Sequence, residues 1–321
     1  MTPSEDGQTV GHVCRVSLHL TAHAVSRAKF VPDGILVDGR RAYTGEPLRA
    51  GQLLSVVVGD TASALEDSRV VPKAGPLRIV FEDDELVVVD KPAGLVTHPG
   101  PGHFDDTLAN RLVAHFRAEG RPANFHATQR LDAGTSGLVV VAKNAHAQDR
   151  LQRLLHTQGF ERTYLGVAEE SCLPDAAEAA GGTRGRLVGR LEVGQGGVVD
   201  APVGPVAGAL DTYAVTPEGK RARTVYEVVA AGEGCRCLRL VLETGRTHQI
   251  RVHLASVGHP LVGDVRYGRA SSRIGRPALH AARVSFLHPV TDRRLEFVSE
   301  LPGDMRALLP QVSAGVRELL G

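Results

Sequence analysis

The chain has 321 residues, enough for one large domain or two smaller ones, each with a packed core. A hydrophobic content of 42% with 23% charged residues excludes a disordered chain, and no apolar run approaches the roughly 20 residues of a membrane helix. Lysine and arginine number 37 against 36 acidic residues, a net charge of +1, so any surface for nucleic acid has to be a local patch.

The four cysteines, Cys14, Cys172, Cys235 and Cys237, form no disulfide framework. The thiols of Cys235 and Cys237 are expected to point apart on a strand, and without a second cysteine pair a zinc site is not expected. The first ten residues read as a loose polar tail with no signal-peptide pattern, so a cytoplasmic location is expected.

Residues 13–58 form a compact segment. Ile35-Leu36-Val37 runs into an Asp38-Gly39 turn, and a second strand lies within 49–58. The pattern resembles the later part of the small αL RNA-binding module carried by some ribosomal proteins and RNA-modifying enzymes. Ser26-Arg27-Ala28-Lys29 would be a thin version of that module's basic helix. Residues 59–76, poor in large apolar side chains, read as a linker.

A second domain opens with a hairpin, 77–81 and 86–89, around the acidic turn Glu82-Asp83-Asp84-Glu85. Asp106 or Thr107 caps a helix with Leu108, Leu112 and Phe116 at four-residue spacing. Next comes Arg130-Leu131-Asp132-Ala133-Gly134-Thr135-Ser136-Gly137, followed by the apolar run Leu138-Val139-Val140-Val141. Read alone, the stretch is an Asx-type turn or a turn presenting Asp132 at the edge of a cleft. A helix with Leu151, Leu154 and Leu155 stops at Gly159. The strand that follows, 160–167, puts Arg162 and Tyr164 on one face.

Residues 169–200 read as a long insertion with short strands. Strands return at 223–229 and 237–242. Thr247 is then expected to cap a helix with Ile250, Leu254 and Val257 buried, stopped by Gly258 and Pro260. Two more strands, 282–287 and 294–298, precede a terminal helix over 303–321 carrying Leu308, Val316 and Leu319. The order of elements gives an α+β fold with a largely antiparallel or mixed sheet.

In order, Val89-Asp90-Lys91-Pro92-Ala93-Gly94-Leu95 with His98-Pro99-Gly100, Arg130-Leu131-Asp132, Arg162-Thr163-Tyr164, Thr244 to Asp264 with Tyr267-Gly268, Leu279-His280-Ala281 and Phe286-Leu287-His288-Pro289 resemble the RluA-type pseudouridine synthases. The resemblance covers 77–302. It implies that family's catalytic fold, a mixed and largely antiparallel central sheet with flanking helices, preceded here by a small α/β appendage at 1–58. It also implies isomerisation of uridine in structured RNA, ribosomal RNA being favoured over transfer RNA. That reaction has no net redox change, so neither cofactor nor metal is expected, and a monomer is expected to suffice.

By the same resemblance Asp132 is the catalytic carboxylate and Arg251 the cation that keeps it ionised in a water-poor pocket. Tyr164 stacks on the uracil and helps remove the C5 proton. Arg130 enters the space left by the flipped nucleotide. Leu131 and Ile250 are expected as pocket wall or core, and Arg246 as a substrate contact. The helix end near Thr247 is expected to add positive potential at Asp132. The family's histidine before Arg-Leu-Asp is replaced by Gln129, which cannot become cationic. His253, His259, His280 and His288 read as structural or RNA-facing. A non-catalytic RNA-binding or ribosome-assembly factor on the same fold is the alternative. A glycoside hydrolase would need a second carboxylate that these motifs do not offer.

Overall fold

The computed structural model describes residues 1–58, 70–120, 123–155, 157–170, 191–312 and 315–321. Most of the linker and the central part of the 169–200 insertion lie outside these residues.

The amino-terminal segment folds around its own core. Helices Val10–Val16 and Ala22–Phe30 pack on a three-stranded antiparallel sheet of β1 (Ile35–Val37), β2 (Arg40–Arg41) and β3 (Leu54–Val56), ordered β2-β1-β3. Asp38 and Gly39 turn β1 into β2 with φ of 51° and 77°, as a two-residue hairpin turn of mirror-image type requires. Val10, Val13, Cys14, Val25, Ile35 and Leu48 fill the interior. The expected loose tail is instead tied down. Gly7 N–H donates to Leu48 O at 2.8 Å, Leu48 N–H to Gln8 O at 2.8 Å, and the terminal ammonium to Gln52 O at 2.8 Å. Those partners lie 40 to 51 residues away, where local pattern does not reach.

The larger part is built on β4 (Ile79–Glu82), β5 (Leu86–Lys91), β6 (His126–Ala127), β7 (Ser136–Ala142), β8 (Phe160–Glu169), β9 (Gly196–Asp200), β10 (Val203–Pro205), β11 (Tyr213–Val215), β12 (Arg223–Gly232), β13 (Cys235–Leu242), β14 (Leu279–Leu287) and β15 (Arg294–Val298). Ten of these form one sheet, ordered β4-β5-β7-β14-β8-β13-β12-β9, with β15 on β14 and β6 on β7; β10 and β11 pair separately. Among the described residues only β7 and β14 run parallel, so the sheet is mixed and largely antiparallel, as expected.

Every residue of β5 and β7 is buried, because helices cover both faces of the sheet there. The two-residue period then sorts the side chains. Val87, Val89, Val139 and Val141 meet Leu108, Leu112 and Phe116 of helix Leu108–Ala118, which Thr107 caps. Leu86, Val88, Leu138 and Val140 meet Leu151 of helix Ala145–Leu154 on the other face. Gly137 sits where β7 and β14 run side by side. Its φ is 111°, and a Cβ would stand 2.3 Å from Ala281 O, so no other residue fits without moving backbone.

Two expectations are corrected. Cys235 and Cys237 occupy the same face of β13 and one buried cluster, since positions two apart on a strand share a side. Both are free thiols, and burial pushes Cys237 up to about 12, so it is inert at neutral pH. The carboxy-terminal segment is not one helix but two short ones, Gly303–Arg306 and Val316–Leu320, with Pro310 between them. Leu308, Leu309, Leu319 and Leu320 join the same cluster as the two cysteines.

Candidate active site

A cleft of about 430 Å³ opens beside the ends of β7, β8 and β13. All seven residues singled out from sequence line it: Arg130, Leu131, Asp132, Tyr164, Arg246, Ile250 and Arg251. They come from three segments up to 121 residues apart in the chain, brought together by the pairing of β7 with β14, of β14 with β8 and of β8 with β13.

The turn carrying Asp132 is clamped through its backbone. Thr97 Oγ1 donates to Leu131 O at 2.8 Å, Thr135 N–H to Asp132 O at 3.0 Å, Gly94 N–H to Ala133 O at 2.8 Å and Arg276 Nη1 to Gly134 O at 3.0 Å. Lys91, wholly buried, sends Nζ to Leu95 O at 2.8 Å, Pro92 O at 3.0 Å and Ala133 O at 3.4 Å. Burial pushes that ammonium down to about 8, with the charge on Asp132 acting the other way. Ser136 Oγ meets His280 Nδ1 at 2.9 Å. Asp132 therefore does not spend its carboxylate on its own backbone, as an Asx turn would. The side chain is left for the cleft.

Its partner is Arg251, on helix Gln249–Ser256. Arg251 Nη1 donates to Asp132 Oδ2 at 3.2 Å. The same guanidinium grips buried Asp264 with two further bonds, Nε to Oδ2 at 2.7 Å and Nη2 to Oδ1 at 2.9 Å, and lies 4.9 Å from the centre of the Tyr267 ring. Burial works against the charge on Arg251, but the bonds and charges of Asp264 and Asp132 outweigh it and raise the pKa.

The helix start differs from expectation. Thr247 is not the cap; His248 is, in a left-handed conformation with φ of 54° and no side-chain capping bond. Gln249, the first helical residue, instead braces the turn before the helix, its Oε1 accepting from Arg246 N–H at 3.0 Å and Thr244 Oγ1 at 2.9 Å. Among the described residues the Asp132 carboxylate accepts from Arg251 and from no helix-end N–H.

Tyr164 is held between Leu240 of β13 and Ala281 of β14 and presents its ring to the cleft. Burial raises the pKa of its phenol, against the nearby Arg162 charge and together with that of Asp132. Leu131 and Ile250 are buried walls. Arg130 is exposed at the rim, and Arg246 lies at the mouth with Nε donating to Arg221 O at 3.0 Å. Among the described residues Arg130, Arg162, Arg246 and Arg251 line the cleft against a single carboxylate, Asp132, which makes the cleft locally basic.

Gln129, the departure from the family's pattern, is buried beside Arg130. Its Nε2 donates to Leu138 O at 3.2 Å, which leaves Oε1 buried without a partner. Sequence reasoning assigned no role to Lys91, His248, Asp264 or Tyr267, although all four stand in the motifs that carried the resemblance. His253, His259, His280 and His288 are buried and hydrogen-bonded to protein atoms, which makes them structural. Glu82, His115 and Glu119 bring ligand atoms within 4.8 Å of one another, the one such group among the described residues. Lys143 Nζ already binds Glu82 at 2.8 Å, and none of the three lines the cleft.

Residues 85–256 match the family model described as RNA pseudouridylate synthase. Over 287 residues the chain is 39% identical to the ribosomal large subunit pseudouridine synthase D of Nitrosomonas europaea, covering 87% of this chain and 76% of that one. An uncharacterized RNA pseudouridine synthase of Bacillus subtilis is 38% identical over 245 residues, covering 76% and 74%. The fold is shared with human RNA pseudouridylate synthase domain containing 1, at 24% identity and a TM-score of 0.52, over 70% of this chain and 83% of that one. With a family model matched over more than half its length and relatives near 40% identity, the chain belongs to the RluA-type RNA pseudouridine synthases and is an isomerase.

Proposed function

We propose that this enzyme isomerises uridine in ribosomal RNA with Asp132 as its reacting carboxylate. One observation carries the assignment: Asp132 is anchored to Arg251 at 3.2 Å on a backbone-clamped turn, in a cleft that also presents the Tyr164 ring. The reaction breaks the bond from N1 of uracil to C1′ and joins C5 to C1′. C5 gives up a proton and N1 gains one, so atoms and electrons balance within substrate and solvent. Asp132 supplies the nucleophile at sugar or base. Tyr164 stacks on the uracil. Burial keeps its phenol protonated in the free protein, so a part in removing the C5 proton requires the bound base.

Arg130, at the rim, fills the gap left by the flipped nucleotide, and Arg246 takes RNA at the mouth. Leu131 and Ile250 exclude water from the base. Ribosomal RNA is favoured over transfer RNA by the relatives named for the large ribosomal subunit, and it implies work in the cytoplasm. Residues 1–58, with Arg40 and Arg41 on one hairpin and exposed Tyr43 just after it, serve as an additional RNA grip, with the catalytic unit spanning 77–302.

The test uses ribosomal RNA carrying tritium at uracil C5, from cells lacking this enzyme. The wild type should release tritium to water, while Asp132→Ala should bind the RNA and release none. Release by the Asp132→Ala protein, or none by the wild type on any cellular RNA, overturns the assignment. The second outcome would favour a binding factor on the same fold.

A further inference from the structure

His248 is the buried titratable group at the cleft that the reading above leaves unused. Its Nδ1 lies 2.8 Å from the Tyr267 hydroxyl. Its Nε2 lies 3.7 Å from Asp132 Oδ2 and 3.8 Å from Asp211 Oδ2. Hydrogen counting fixes the tautomer. Tyr213 N–H donates to the Tyr267 oxygen at 3.0 Å, and His248 is the only other partner of that hydroxyl among the described residues. The phenol hydrogen therefore has one acceptor, Nδ1, and the imidazole proton sits on Nε2. The other end agrees, because Nε2 faces two carboxylates, which only accept. Burial, with Arg251 and Arg266 nearby, lowers the pKa of the ring despite those carboxylates, so it is neutral near pH 7.

We infer that His248 is a positioning residue: its Nε2–H is a second donor to Asp132, Tyr267 fixes the tautomer that makes it one, and the pair leaves Oδ1 as the reacting oxygen. Arg251 Nη1 and His248 Nε2 both converge on Oδ2, and among the described residues no group donates to Oδ1. At 3.7 Å the histidine contact is too long for a hydrogen bond in the free protein. The Asp132 side chain is 28% exposed and has room to move, and such bonds commonly tighten only when substrate closes the site. The inference rests on Asp132 being the reacting carboxylate.

His248→Asn is the direct test. Asparagine tolerates the left-handed backbone and keeps an acceptor for the Tyr267 hydroxyl, but has no atom at the Nε2 position. A hydrogen bond to a charged group corresponds to roughly tenfold to a hundredfold in rate. H248N should lose that much in kcat for tritium release, with KM unchanged within about twofold. H248Q carries an amide N–H out to the Nε2 position and should recover most of the loss. Tyr267→Phe should lower kcat when His248 is present and have no further effect in H248Q, because an amide has no tautomer to fix. Wild-type kcat in H248N, or losses that multiply when Y267F and H248Q are combined, overturns the inference. If H248N loses RNA binding as well as rate, recovery of both in H248Q would still support the donor, and no recovery would sink it. Activity in Asp132→Ala would instead overturn the underlying assignment.

Discussion

Two sets of residues at the cleft, called here its two walls, are built on opposite terms. On one wall, the turn at 131–136, the loop at 91–97 and helix Gln249–Ser256, the charged side chains are matched: Asp132 to Arg251, Arg251 to Asp264, and Lys91 to three carbonyls. On the other, Thr128 Oγ1, Gln129 Oε1, Arg162 Nε and Nη2, together with His98 Nδ1, are buried with no hydrogen-bond partner. Five of the nine such atoms among the described residues therefore line one cleft. Orphaned buried polar atoms destabilise a fold unless something satisfies them, so their concentration marks where a ligand completes the structure. On the proposed function, the matched wall holds the reacting carboxylate in place and the unmatched wall is where RNA would bind.

Breaking the matched wall should give the largest effect. Asp264 is fully buried, and removing its carboxylate leaves the buried Arg251 guanidinium with Asp132 as its one hydrogen-bond acceptor among the described residues, beside the Tyr267 ring. Asp264→Ala should lose about 3–5 kcal/mol of stability in urea unfolding, the range for breaking a buried pair. Freed to turn, Arg251 should misplace Asp132 and lower kcat at least a hundredfold by roughly the same logic as other misoriented catalytic groups. Unchanged stability would mean that water replaces Asp264 and that this wall is less dry than its contacts imply.

A smaller break comes from acid. His280 supports the Asp132 turn through Ser136, and burial pushes it down to about 4. The unfolded chain takes up this proton near pH 6.5 and the folded protein only near pH 4. Stability from neutral His280 is therefore complete above about pH 6.5 and is lost as the pH falls through that window toward 4. Between pH 7 and pH 5 the loss should be about 2 kcal/mol, measured by denaturant unfolding. His98, His146, His248 and His253 are also lowered by burial and add losses of the same sign. The difference between wild type and His280→Gln isolates the one residue: the variant should show a shallower decline.

Local pattern made the supports of the matched wall legible. The run at 138–141 and the four-residue spacing of Leu108, Leu112 and Phe116 named the strand and helix that frame the turn, and motif order named Asp132 and Arg251. What escaped was made by distant contacts or by one special backbone angle. No periodicity shows that Lys91 binds three carbonyls, that Asp264 holds Arg251, or that His248 adopts φ of 54° and takes the cap from Thr247. The pinned amino terminus and the break at Pro310 are of the same kind, the first a long-range contact and the second a proline inside an apolar spacing that otherwise reads as helix. Gln129 was unaccounted for because its role depends on which way the amide points, and Leu138 O decides that.

Arg162 gives the smallest effect and the clearest separation of the walls. In the free protein it is a buried cation without an ion pair among the described residues, so removing it should behave oppositely to removing Asp264. Replacing a buried charge with an apolar side chain of similar length is often neutral or stabilising. Arg162→Met should therefore leave unfolding stability unchanged or raise it by about 1 kcal/mol, while RNA affinity falls about tenfold. If RNA supplies the missing partner as a phosphate, the affinity lost should shrink as salt is raised, and the dependence of log Kd on log salt should flatten by about 0.7, the value for one contact on single-stranded RNA. A base carbonyl would leave that slope unchanged and still cost affinity. A drop in stability as large as that of Asp264→Ala, with RNA binding intact, would show that Arg162 has a partner within the protein and that the two walls are built alike.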